Sequence, residues 1–302
     1  MKVKDGIIGL IVGDALGVPV EFNTRYELEK NPVTTMRGYG TYNQPPGTWS
    51  DDSSMTIATM ASIINENGIK LEKIMEEFCE WIFNSKYTQY DHTFDFGRTT
   101  QRALLNYEHG MPAEKCGGNS ERDNGNGSLM RILPLAFLKN IDDKTIEDIS
   151  SLTHAHERSR ITCVYYIEIA KSMLYNNDLT IAEHIENANR IITEKYKNNE
   201  ELKNFKRIFT NDFTDGISSS GYVIDTIECV IYCLRTTKSY KESVLKAVNL
   251  GGDTDTIAAI CGGLAGIYHG FDEIPNEWIE QIPKITEIIS LCEKYEMICN
   301  EY

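Results

Sequence analysis

Gly251-Gly252-Asp253-Thr254-Asp255-Thr256-Ile257-Ala258-Ala259-Ile260-Cys261-Gly262-Gly263-Leu264-Ala265-Gly266-Ile267 is the stretch whose reading decides the fold. From Ile257 onward it is apolar on every side and rich in Gly and Ala. In a water-soluble chain such a helix lies at the centre, where its neighbours approach closely. Its opening turn is acidic, and the same arrangement recurs about 200 residues earlier in Trp49-Ser50-Asp51-Asp52-Ser53-Ser54-Met55, which runs into a second apolar helix. One Asp or Ser suffices to cap a helix N-terminus. Here each end carries two carboxylates and a hydroxyl, and crowded carboxylates repel unless something positive lies among them. Hard divalent cations take all-oxygen ligands of this kind. A metal site assembled from both segments is therefore expected, on the most rigid part of the fold.

Working outward, helical periodicity dominates. It predicts helices near 5–16, 53–66, 71–84, 97–109, 128–138, 143–152, 157–175, 179–196, 220–235, 240–249, 255–269 and 276–297. Alternation of the strand type is nearly absent. The expected fold class is all-α: a compact multi-helix domain spanning 1–302, with no linker and no internal repeat. The charged run from Glu194 to Arg207 reads as a solvated helix or loop. Three stretches, about 23–49, 86–95 and 110–127, resist regular assignment, and long loops are often functional. The last of these, ending in Asn126-Gly127-Ser128, feeds the expected helix at 128–138. Flexible backbone before a helix N-terminus suits an anion, although a plain surface turn has the same composition.

With 30 basic and 45 acidic residues, the 302-residue chain has a net charge of −15, which argues against nucleic-acid backbone or anionic membrane as main partners. No stretch is long enough to span a bilayer. The apolar run between Asp5 and Asp14 is too short for a signal peptide and no cleavage site follows. The eight cysteines form no Cys-x-x-Cys pair. Cys229 and Cys233, one helical turn apart, read as core packing. Reduced thiols and a cytoplasmic location are expected. His92, His109, His184 and His269 show no ligand spacing, and His156 reads as a surface residue.

Taken together in chain order, several motifs resemble the ADP-ribosylglycohydrolase family, the group containing dinitrogenase-reductase-activating glycohydrolase and the ADP-ribosyl-acceptor hydrolases. They are Gly13-Asp14-Ala15-Leu16-Gly17-Val18-Pro19-Val20-Glu21-Phe22, Trp49 to Met55, Asp95-Phe96-Gly97-Arg98-Thr99-Thr100, Asn126 to Arg131, Thr153-His154, Gly221-Tyr222-Val223, Gly251 to Thr256 and Ile274-Pro275-Asn276-Glu277-Trp278. The acidic pair is specific, whereas the Gly-rich pieces alone are weak. The resemblance implies an all-α fold with two Mg²⁺ or Mn²⁺ ions held by Ser50, Asp51, Asp52, Asp253, Asp255 and Thr256. Ser50 stands where Thr is more frequent and keeps the hydroxyl. Arg98 stands where some members carry Asn, near the expected substrate mouth, which leaves the acceptor open.

The implied activity is hydrolysis of the bond between C1″ of ADP-ribose and an acceptor, protein-borne or small, with an arginine-type side chain favoured. Glu21 and Asp95 are the candidate acid–base groups, with a salt bridge or a helix cap as their plain structural alternatives. Asn126, Gly127 and Ser128 would take the diphosphate, and His154 and Tyr222 would line the pocket. Two other functions fit the same residues: a magnesium-dependent phosphohydrolase acting on a diphosphate, and a non-catalytic relative that binds ADP-ribose or serves a structural role.

Overall fold

A computed structural model describes residues 2–301. Fourteen α-helices are found among the described residues: α1 (Lys2–Gly17), α2 (Arg25–Lys30), α3 (Asp51–Glu66), α4 (Leu71–Asn84), α5 (Arg98–Glu108), α6 (Asp143–Ser151), α7 (Glu157–Tyr175), α8 (Ile181–Lys195), α9 (Lys206–Thr210), α10 (Val223–Arg235), α11 (Tyr240–Val248), α12 (Thr254–His269), α13 (Asn276–Ile279) and α14 (Ile285–Glu301). The described residues hold no β-sheet, only two isolated bridges, Gly118 to His154 and Gly125 to Tyr222. The all-α expectation is met. No described helix is long and apolar enough to cross a membrane.

The centre is the pair α1 and α12, packed along their lengths, with α3 and α14 beside α1 and α7, α10 and α11 beside α12. Small residues at four-residue spacing explain how close the two come. Gly9 and Gly13 of α1 face Gly262 and Ala258 of α12: a Cβ on Gly13 would lie 2.1 Å from the Ala258 carbonyl oxygen, and one on Gly9 2.4 Å from that of Gly262. At the mouth of the pair, a Cβ on Gly17 would lie 2.3 Å from Asp255 Cα. Thr254 Oγ1 donates to the Gly17 carbonyl at 2.9 Å, and Tyr240 Oη donates to that of Gly9 at 2.7 Å. An apolar core built on this pair runs from Val3 to Tyr295.

Two expected helices are corrected. Residues 128–138 make a single turn, Met130 N–H to Asn126 O at 3.1 Å, and then a 3₁₀ helix over Leu133–Phe137. Pro134 has no N–H to donate to the Met130 carbonyl, so an α-helix cannot propagate through it. The expected helix over 276–297 is broken into α13 and α14 around Pro283 for the same reason. The charged run from Glu194 to Arg207 is also less solvated than its composition suggests. Its Phe205 is fully buried and stands edge-on to Tyr165 at 6.2 Å. All eight cysteines are free thiols, seven of them buried.

Candidate active site

The first acidic segment enters α3 with Ser50 as N-cap, its hydroxyl accepting from the Asp52 N–H at 3.3 Å. A residue from another helix completes the cap. Asp14 of α1 accepts from the Ser50 N–H at 2.9 Å, the Ser53 N–H at 3.1 Å and the Ser53 hydroxyl at 2.6 Å. Because Asp14 satisfies these orphan donors, the Asp51 and Asp52 carboxylates are not consumed as caps. Asp51 faces the cleft and Asp52 lies beneath it with no exposed surface.

The second segment enters α12 through Gly251 and Gly252, at φ +74° and +73°. Besides requiring glycine conformationally, Gly252 has no space for a side chain: its Cβ would lie 2.2 Å from the Ser219 carbonyl oxygen. The turn presents Asp253 as N-cap and places Asp255 and Thr256 in the first turn of α12. The two segments meet where Thr256 Oγ1 donates to Asp52 Oδ2 at 3.2 Å, and Ser50 Oγ donates to the same oxygen at 2.9 Å.

Carboxylate oxygens of Asp14, Asp52 and Asp255 lie within 4.8 Å of one another, and so do those of Glu21, Asp95 and Asp255. Asp255 belongs to both groups, so the acids form two adjoining clusters. No histidine joins either of them among the described residues. Glu21 follows the turn after α1 and is 4% exposed. Asp95, half-buried at φ +52°, accepts from Tyr42 Oη at 2.7 Å.

Three buried oxygens in this cluster have no hydrogen-bond partner among the described residues: Glu21 Oε2, Asp52 Oδ1 and Asp255 Oδ2. Leaving one such atom unsatisfied costs about 1–3 kcal/mol, more for a charge, so three together suit the binding of a cation. Burial raises the pKa of Asp51, Asp52 and Asp255 well above the carboxylate range, and neighbouring acids add to it. Burial, with the nearby Asp95 charge, pushes Glu21 up to about 10, and burial lifts Asp14 to about 6 against the hydrogen bonds from Ser53 and Ser50. The N-terminal dipoles of α3 and α12 offset only part of this charge. An all-oxygen donor set with orphaned anionic atoms fits Mg²⁺ or Mn²⁺.

These shifts have a measurable consequence. Asp14 rises from 3.8 to about 6 and Glu21 from 4.5 to about 10, so between the unfolded and folded values the folded chain holds more protons than the unfolded one. Stability of the cation-free protein then falls as pH rises through that window. In EDTA, thermal melting is expected to drop from pH 5 to pH 8, and saturating Mg²⁺ is expected to stabilise more at pH 8 than at pH 5. A melting temperature in EDTA that climbs over that range contradicts the assignment.

Above the acids opens a cleft of about 420 Å³, large enough for a small ligand. Its walls include Asn126, Gly127, His154 and the start of α5. Asn126 Nδ2 donates to Asp253 Oδ2 at 2.7 Å and to Thr226 Oγ1 at 2.9 Å, tying the Gly-rich loop to the acidic turn. His154 is buried, with Nδ1 2.9 Å from Thr153 Oγ1, which in turn accepts from Arg131 at 2.8 Å. Burial and the Arg131 charge push its pKa down to about 3, so the imidazole is neutral at physiological pH. Its Cε1 would lie 2.8 Å from a Cβ on Gly127, which is why that turn carries no side chain there.

Most of the expected site residues converge here; of the five expected to bind the ligand, two do not line the cleft with their side chains. The Ser128 hydroxyl is fully buried against Ser150 at 2.9 Å and Cys163 Sγ at 3.5 Å. Tyr222 pairs through its backbone with Gly125, while its ring lies under Arg158 at 5.7 Å. His156, read as a surface residue, is the N-cap of α7, accepting from the Arg158 N–H at 3.2 Å. Sequence reading missed Asp14 as a member of the cluster, although a lone acid inside an apolar helix between Gly13 and Ala15 is itself a signal.

The structure is a helical chain with a cleft of ligand size whose floor carries acidic groups able to hold a metal ion. The comparisons with known proteins make this specific. The family model of ADP-ribosylglycohydrolase matches residues 1–301, and the chain belongs to that family. It is 30% identical over 298 residues to ADP-ribosylarginine hydrolase Tri1 of Serratia proteamaculans, covering 97% of this chain and 78% of the relative. It is likewise 30% identical to ADP-ribosyl-[dinitrogen reductase] glycohydrolase of Rhodospirillum rubrum, covering 95% of this chain and 92% of the relative. Among solved structures, an ADP-ribosylglycohydrolase-related protein complex superposes with a TM-score of 0.78 at 26% identity, covering 99% of this chain and 98% of that one.

Proposed function

We propose that this chain removes ADP-ribose from a modified acceptor, an arginine-type side chain being favoured, by attack of water at the anomeric ribose carbon. The observation that carries the reading is the set of orphaned oxygens on Glu21, Asp52 and Asp255 directly beneath a cleft of ligand size. Two Mg²⁺ or Mn²⁺ ions would be held by Ser50, Asp51, Asp52, Asp253, Asp255 and Thr256, with Asp14 an added carboxylate in the same cluster. Bound there, such ions supply positive charge that orients oxygens of the sugar and of water. The names of the two relatives at 30% identity support ADP-ribose as the group removed.

The chain's own residues divide the remaining work. Gly127 would present its backbone to the ligand, Asn126, whose amide nitrogen is taken by Asp253 and Thr226, would hold that loop in place, and neutral His154 backs the wall without adding charge. Cleavage at C1″ builds oxocarbenium-like charge, which the carboxylates around the cleft stabilise. Glu21, its carboxyl pushed toward the protonated form by burial and Asp95, is placed to give a proton to the departing acceptor atom. Asp95, fixed by Tyr42 Oη, is placed to take one from water.

Glu21→Gln is expected to lower kcat by about 10²–10⁴-fold while Mg²⁺ still raises the melting temperature. The decisive assay incubates ADP-ribosylated arginine with the chain and identifies products by mass spectrometry, with and without EDTA. Intact ADP-ribose, formed only with Mg²⁺ or Mn²⁺, is the expected product. AMP with ribose 5-phosphate would mean attack on the diphosphate. Full turnover in a metal-stripped, EDTA-treated sample would remove the metal from the mechanism.

A further inference from the structure

The chain has eleven arginines. Nine of them make a hydrogen bond or an ion pair within the protein. The other two, Arg98 and Arg122, have neither among the described residues, and both line the same cleft. Both are exposed, so their guanidinium groups are free to reach outward from its mouth. In a chain of net charge −15, with the acids of Asp51, Asp95 and Asp253 along the same cleft, two uncompensated cations at the rim are a local reversal of the field.

We infer that Arg98 and Arg122 form a docking rim for an acidic peptide segment flanking the ADP-ribosylated residue. The inference rests on the proposed function, since it assumes that the cleft takes ADP-ribose attached to an acceptor. A cleft of about 420 Å³ holds the nucleotide part, whereas the polypeptide carrying it must stay outside. Exposed charges at the mouth therefore meet the acceptor chain. Arg98 begins α5, three residues beyond Asp95, which places it at the end where the acceptor bond is cut. Arg122 lies on the Gly-rich loop beside it, four residues before Asn126 and next to Asp123, which is paired with Arg102 of α5. Planar guanidinium forks favour carboxylates, which they bind through two parallel hydrogen bonds. The same pair disfavours a basic flanking sequence, so the rim selects by repulsion as well as attraction. Phe22 and Phe96, 67% and 36% exposed at the same mouth, give the segment apolar faces to lie on.

The test uses two peptides bearing the same ADP-ribosylarginine, one flanked by Asp and Glu and the other by Asn and Gln. Affinities are measured by calorimetry on the 302-residue chain carrying Glu21→Gln, with Mg²⁺, with and without Arg98→Gln and Arg122→Gln together. The acidic peptide is expected to bind about 3- to 10-fold more tightly at low ionic strength, with the preference lost in the double substitution and in 0.5 M NaCl, where the screening length is about 4 Å. Equal affinities for the two peptides overturn the inference. So does an equal loss for both peptides in the double substitution, which would assign the arginines to the nucleotide itself. Release of ADP-ribose by the unsubstituted chain is scored separately. Preferential binding without release would sink the hydrolase reading and leave the rim standing; no binding of either peptide would sink both.

Discussion

Asp255→Asn is expected to reduce kcat/KM by about a thousandfold, equivalent to ~4 kcal/mol of transition-state stabilisation, while leaving helical content unchanged. Asp255 is the one carboxylate common to both acid clusters, and its Oδ2 is buried without a partner. An amide there keeps the volume and the bond its oxygen accepts from the Thr256 N–H at 2.9 Å, but removes the anion. The same substitution should have the opposite effect on the cation-free fold. Asp255 is pushed to a high pKa by burial and by the charges of Glu21, Asp95, Asp52 and Asp253. Removing it relieves that repulsion, so in EDTA at pH 8 the variant should melt above the unsubstituted chain. Saturating Mg²⁺ should reverse the order, because a ligand at 100 times its Kd contributes about 2.7 kcal/mol to the form that binds it. Near-normal turnover together with unchanged melting in EDTA would show that Asp255 neither holds a cation nor carries strain.

Gly13→Ala is expected to be strongly damaging, because it strikes the contact between the two central helices. The added carbon would lie 2.1 Å from the Ala258 carbonyl oxygen and 2.7 Å from its carbon, with helix backbone on both sides. No rotamer can relieve such a contact, so α1 and α12 must separate. Overpacking costs typically 1–3 kcal/mol, and here the upper end is expected because the obstructing atoms belong to a central helix. Asp14 is the next residue in α1 and Asp255 stands at the start of α12, so separation also disperses the acid cluster. The variant should therefore lose most of the Mg²⁺-induced rise in melting temperature as well as intrinsic stability, both read by circular dichroism. Unchanged melting and an unchanged Mg²⁺ response would refute the close packing of this pair.

Much of this architecture was legible because local signals agreed. The bounds of α4 and α7, 71–84 and 157–175, coincide with expectation, α4 being strongly amphipathic and α7 a long stretch free of Gly and Pro. Where apolar periodicity outweighed a proline, the reading failed: Pro134 and Pro283 each break a stretch whose side chains otherwise suit a helix. Helix α2 lies within 23–49, which shows no clear periodicity, yet Thr24 and Glu27 form a capping box that announces it. In the site, the two acid-bearing helix ends were found because three oxygen side chains exceed what capping needs. Asp14 was not, because its role depends on α1 lying against the end of α3, which no short window of sequence reveals. The same is true of the Ser128 hydroxyl, which turns inward to Ser150 and Cys163, and of Tyr222, held under Arg158. Arg98 stood out only through the family resemblance and Arg122 not at all, since their lack of partners is a property of the folded surface.

The pairing of α1 with α12 also sets an order of events during synthesis. Thr254 and Gly17, joined by a hydrogen bond, are 237 positions apart in the chain. The first helix leaves the ribosome with its glycine face bare and must wait until residue 269 has followed before its partner is complete. Contacts this remote are slow to form, and a nascent chain with an uncovered apolar helix is prone to associate with others. Premature termination anywhere ahead of residue 254 would thus yield a product without a centre, a natural substrate for chaperones and proteases.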